Sequence, residues 1–128
     1  MSRRTKWLGS AGEVLALHAL EDRGYRIVDT NVRPYGGRRR GEIDMIAWDR
    51  EFLVFIEVKS RSRVDGSPPV MAVNFRKRQQ IIALAEFYIA RFRLDDVPVR
   101  FDIVEVIHDG THEPTITVHS AAFDRSDT

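Results

Sequence analysis

Gly41-Glu42-Ile43-Asp44-Met45-Ile46-Ala47-Trp48, and then Phe52-Leu53-Val54-Phe55-Ile56-Glu57-Val58-Lys59-Ser60, are the stretch that decides how this chain folds. Aliphatic and aromatic residues dominate both runs, and only the Asp49-Arg50 neighbourhood separates them. The spacing therefore predicts an antiparallel hairpin of Glu42–Trp48 with Phe52–Ser60. Such apolar strands belong to a buried sheet, which makes the charges that interrupt them informative. Glu57 and Lys59 stand two apart and so share a face, at the end of the run Phe52–Ile56 where burial is expected. An even turn places Asp44 opposite Phe55, on the face of Glu57 and Lys59 and diagonal to Glu57. An odd turn sends Asp44 to the other face and breaks the constellation.

Working outward, Trp7, Leu8, Ala11, Val14, Leu15, Leu17 and Leu20 recur at helical steps, giving a first helix from about Thr5 to Asp22 that Gly24 stops. Tyr25–Val32 reads as a strand, closed by Pro34 and Gly36-Gly37 in a loop that ends in Arg38-Arg39-Arg40. Beyond the hairpin, a loop with Gly66, Pro68 and Pro69 leads to a second helix, Asn74–Arg93. Its apolar side holds Ile81, Ile82, Leu84, Ala85, Tyr88, Ile89 and Phe92, and its polar side Arg76, Gln79, Ala83, Glu86 and Arg91. Val97–His108 and Pro114–Ser120 read as two further strands joined by Asp109-Gly110. The expected order is αβββαββ, an α/β domain over residues 1–123 with a mixed central sheet flanked by helices and a polar tail at 124–128.

The 128 residues, 43% apolar and 30% charged, suit one folded globular domain. Absence of cysteine excludes disulfides, zinc ribbons, iron–sulfur clusters and thiol nucleophiles. No apolar run approaches the roughly 20 residues a membrane span needs. The start, Ser2 to Leu8, has a paired arginine, but Glu13, His18, Glu21 and Asp22 fall where an export signal would be uncharged, so a cytoplasmic protein is expected. The net charge of +1 conceals a gradient, from nine basic against four acidic residues over 1–40 to two against eight over 95–128. A polyanion would meet the front and middle of the chain.

Two carboxylates, water and a backbone carbonyl form an oxygen-rich site for a hard cation such as Mg²⁺ or Mn²⁺, which polarises a phosphodiester. A lysine beside it can hold the attacking water and offset charge growing in the transition state. Asp44, Glu57 and Lys59 have this composition. A structural ion network has it too, and spacing alone does not choose between them.

The strings Gly41-Glu42-Ile43-Asp44-Met45-Ile46 and Phe55-Ile56-Glu57-Val58-Lys59-Ser60-Arg61 resemble the PD-(D/E)XK nuclease signature, in which an acid precedes a Glu-x-Lys triplet across a hairpin. The chain from about residue 7 to 107 further resembles the YraN family, a bacterial group of predicted endonucleases akin to Holliday-junction resolvases. That wider likeness adds Gly12-Glu13, Tyr25 through Asn31-Val32-Arg33, Lys77-Arg78 and Arg100-Phe101-Asp102-Ile103-Val104. It implies a restriction-endonuclease-like fold and metal-dependent DNA hydrolysis. In it Asp44 and Glu57 bind metal, the Val58 carbonyl completes the shell, Lys59 serves the water, and Glu13 is the acid of the first helix. It also implies a homodimer, which suits a substrate with two strands to cut. Ile43 replaces the signature's proline, and Gln80 is followed four residues later by Leu84 rather than tyrosine, which argues against a RecB-type exonuclease.

Phosphate contacts are expected from Arg61 and Arg63 after Lys59, from Lys77 and Arg78 at the start of the second helix, and from Arg38, Arg39 and Arg40 on the Gly-rich loop. Aromatic residues do not interleave these charges, so duplex or branched DNA is favoured over single strands. His108, His112 and His119 fit no compact zinc motif. The rival from another class is a DNA-binding or adaptor module that keeps the fold without useful catalysis.

Overall fold

The computed structural model describes residues 11–33, 41–62, 73–108 and 113–127. The first helix, α1 (Ala11–Asp22), ends where Gly24 takes φ 94°, which lets Tyr25 N–H reach Leu20 O at 3.0 Å and Gly24 N–H reach Glu21 O at 3.0 Å. That reversal feeds directly into β1 (Arg26–Val32). The hairpin strands follow as β2 (Ile43–Asp49) and β3 (Phe52–Ser62), then the second helix α2 (Phe75–Arg91), β4 (Val99–His108), β5 (Thr115–Phe123) and a short 3₁₀ turn at Arg125–Asp127. The order is the expected αβββαββ, and the α/β architecture agrees with the restriction-endonuclease-like expectation.

Five strands form one sheet in the order β1-β2-β3-β4-β5, antiparallel except for the parallel β3–β4 pair. The parallel pair is joined through α2, as a crossover connection requires. Alternation along the strands sorts the core into two layers. Ile46, Leu53, Phe55, Phe101 and Ile103 pack against Ile81, Leu84, Ala85 and Ile89 of α2. On the other side Met45, Ala47, Val54, Ile56, Val104 and Val106 pack against Ala16, Leu17 and Leu20 of α1. Both faces of the central strands are therefore buried, which is why β3 reads as a continuous apolar run.

The hairpin turn is Arg50-Glu51, with Arg50 in the left-handed region at φ 56°, and it pairs Asp49 with Phe52. The turn is even, as the shared face requires. The partner of Phe55 is nevertheless Ile46 and not Asp44. Backbone pairing of β2 with β3 runs up to Met45–Ile56, one step short of Asp44 and Glu57. The two-residue loop moves the pairing by two and leaves the faces unchanged. Two other differences are local. Phe92, expected on the apolar side of the second helix, is exposed beyond the helix end, and β5 runs on to Phe123 because that ring stacks on Phe101 at 5.1 Å.

Asp102 is fully buried on the α1 side and receives hydrogen bonds from Tyr25 Oη at 2.9 Å, Arg100 Nε at 2.9 Å and Ala121 N–H at 3.0 Å. Arg100 also reaches Asp49 Oδ2 at 2.8 Å. This network fastens β4 to the start of β1, the end of β2 and to β5, which accounts for a buried charge away from the acid site described next. Among the described residues no helix is long and apolar enough to cross a membrane.

Candidate metal centre

Four acids, from α1, the residue before β2, β2 and β3, come to the end of the sheet where β2 begins. Asp44 and Glu57 are 7% and 3% exposed, so neither carboxyl group is solvated by bulk water. The Val58 N–H donates to Asp44 Oδ2 at 2.8 Å, and the Glu57 carboxyl lies close enough to Asp44 to act on its ionisation. Burial first, then the hydrogen bond to Glu57 and its charge, push the Asp44 carboxyl from 3.8 up to about 8, against the opposing Val58 N–H.

Glu13 on α1 and Glu42 just before β2 complete the group. With Asp44 they offer one carboxylate oxygen each, all within 4.8 Å of one another. Glu13 therefore does join the site, as the family resemblance implies. Glu42 was not singled out by the sequence, although it stands two residues before Asp44 and the strand period of two gives both the same side. Its Oε2 also takes an ion pair from Arg33 Nε at 3.1 Å. Gly41 precedes Glu42 with φ 102°, a left-handed conformation that L side chains rarely adopt, and a Cβ there would come within 3.1 Å of Gln80 Oε1 on α2.

Lys59 is half-buried and follows Glu57 on the same side of β3. The parallel register places it beside Glu105, an almost fully buried acid that sequence reading passed over. Glu105 is ion-paired to Arg61 and lies 3.4 Å from His119 Nε2. Arg61, expected on phosphate, is thus turned into a protein contact. Lys77 Nζ lies 3.5 Å from Glu57 Oε2, which puts it in the acid group. Arg78 donates to Val73 O at 2.8 Å and lies over the Phe75 ring at 5.8 Å, where it secures the entry to α2. Arg38, Arg39, Arg40 and Arg63 lie outside the described residues, as does His112. His108 is exposed at the end of β4, apart from His119 in its contact with Glu105.

Val58, whose carbonyl is expected as a metal ligand, has its N–H on Asp44 Oδ2. The donor set is all oxygen, and its four acids face cations at ion-pairing distance among the described residues, Arg33 at Glu42 and Lys77 at Glu57. Such a set fits a hard divalent cation.

The sequence profile of Uncharacterised protein family UPF0102 matches residues 12–106. A UPF0102 protein of Symbiobacterium thermophilum is 45% identical over 106 residues, spanning 83% of this chain and 84% of the relative. One of Acetivibrio thermocellus is 44% identical over 98 residues, 77% of this chain and 73% of the relative. One of Clostridioides difficile is 40% identical over 98 residues, 77% and 82% of the two chains. The profile match takes in Glu13, Glu42, Asp44, Glu57, Lys59 and Lys77.

Proposed function

The chain belongs to Uncharacterised protein family UPF0102, the YraN family, and from that premise we propose that it is a metal-dependent endonuclease hydrolysing DNA phosphodiester bonds, with branched or junction DNA as its preferred substrate. The observation that carries the reading is the pair of buried acids Asp44 and Glu57 on adjacent strands, with Glu13 and Glu42 grouped about Asp44 and Lys59 following Glu57 along β3. A fold does not accumulate buried like charge for stability alone.

Asp44 and Glu57, with Glu13 and Glu42 beside them, would hold Mg²⁺ or Mn²⁺, which when bound supplies Lewis-acid polarisation of the scissile phosphodiester. The Val58 N–H fixes the rotamer of Asp44, so the carboxylate is oriented before substrate arrives. Lys59 presents an ammonium that orients the attacking water and faces the negative charge that grows on the phosphoryl oxygens. Arg61 and Arg78 are engaged by protein groups, so contact with the DNA backbone falls to Arg38, Arg39, Arg40 and Arg63. A symmetric pair of copies would serve a substrate with two strands to cut.

Cation binding must displace the proton held on Asp44, so Mn²⁺ affinity is expected to rise about tenfold per pH unit from pH 6 and to level off near pH 8, where Asp44 ionises unaided. Calorimetry in buffers of differing ionisation enthalpy reads the release of about one proton at pH 7. Mn²⁺ binding that is independent of pH over this range would contradict a site that fills by displacing the Asp44 proton.

A further inference from the structure

The first turn of α2 carries Arg76, Lys77 and Arg78 and no acid. Three cations there oppose the helix dipole, which favours negative charge at an N-terminus. Asn74 caps the helix by accepting the Lys77 N–H at 2.9 Å, so the backbone of Lys77 is held in place. A locally unfavourable choice on a well-anchored turn points to work done elsewhere. Arg78 has such work at Val73 and Phe75, while the Lys77 ammonium reaches across to Glu57 Oε2 at 3.5 Å, where the two side chains are 30% and 4% exposed.

We infer that Lys77 is the internal cation of the acid site: its ammonium neutralises Glu57 in the metal-free protein and competes with the divalent cation for that carboxylate. The inference rests on the acids being a divalent-cation site. Glu57 cannot give its full charge to both partners, so each cation lowers the affinity of the other, and the coupling is reciprocal. Lys77 thereby sets the metal concentration at which the site fills and is released when it does. Lys59 has a different place, two residues along β3 from Glu57 and beside Glu105, so the two lysines divide between metal affinity and chemistry.

The test is calorimetric titration of the full chain with Mn²⁺ alone, at pH 8 and low salt, for wild type, Lys77→Met, Lys77→Arg and Arg76→Met. Lys77→Met is expected to bind Mn²⁺ about fivefold or more tightly than wild type. Lys77→Arg keeps a cation on Glu57 and is expected to stay within about twofold. Arg76→Met makes the same charge change one residue away, on an exposed side chain, and is also expected to stay within about twofold. Unchanged or weaker binding in Lys77→Met, with its circular dichroism intact, overturns the proposal. So does equal tightening in Arg76→Met, which would reduce the effect to the general field of the helix terminus. If wild type and Lys77→Met both fail to bind Mn²⁺, the metal-site reading itself falls and takes this proposal with it.

Discussion

Asparagine in place of Asp44 is expected to stabilise the metal-free protein and to abolish divalent-cation binding. The two effects have one cause. Burial and the neighbouring Glu57 push the Asp44 carboxyl up from 3.8 to about 8, so at neutral pH the folded protein holds a proton that the unfolded chain has released. Between about pH 4 and pH 8 the unfolded state therefore binds fewer protons, and stability falls as pH rises through that window. The contribution is full below about pH 4, where both states are protonated, and is lost by about pH 8. Asparagine keeps the shape, still accepts the Val58 N–H and donates to Glu57 without a proton to find. The expected gain is about 2 kcal/mol at pH 8, seen as a rise in Tm of about 5–10 °C, together with a flatter dependence of Tm on pH from 5 to 8. Mn²⁺ titration of the same variant should show no binding. A variant that melts lower than wild type at pH 8 would show that the Asp44 carboxylate is stabilising and not strained.

Methionine in place of Lys59 is expected to lower the rate of DNA cleavage about a thousandfold, the scale of losing one charged donor to a transition state. Methionine preserves the length and apolar stem of this half-buried side chain, so the fold should be kept. Mn²⁺ affinity and duplex affinity should each stay within about twofold of wild type, because Glu57 is paired with Lys77 and phosphate contacts lie elsewhere. Single-turnover cleavage beside filter binding separates the two. Equal loss of binding and cleavage would make Lys59 a phosphate anchor instead.

How far these residues could be found from sequence depended on the range of the contacts that place them. The hairpin was legible because a two-residue turn and apolar alternation leave few registers, and with it came the shared face of Asp44, Glu57 and Lys59. The register itself differs from the expected one by two residues, since Phe55 pairs with Ile46 rather than with Asp44. Glu42 could have been found by the same period of two. The Glu105 cluster could not, because the pairing of Lys59 with Glu105 is fixed by a parallel crossover through α2, and no local signal sets that register. The same crossover brings Lys77 to Glu57 and Arg61 to Glu105, which turned two expected phosphate contacts into partners of buried acids. Asp102 stood in the sequence as an acid among apolar neighbours, but its partners Tyr25 and Ala121 come from the margin of β1 and from β5, and its third partner Arg100 is itself tied to Asp49 of β2.

The most direct test of phosphodiester hydrolysis at Asp44 and Glu57 is a cleavage assay. Purified wild type and Glu57→Ala are incubated side by side with labelled linear duplex, flap and four-way-junction DNA in Mg²⁺, Mn²⁺ or EDTA. Wild type is expected to give discrete products with either cation, most strongly on the junction, and none in EDTA, while Glu57→Ala gives none in any condition. Products that persist in EDTA or in Glu57→Ala, or no products from wild-type protein that binds both Mn²⁺ and DNA, would contradict the account.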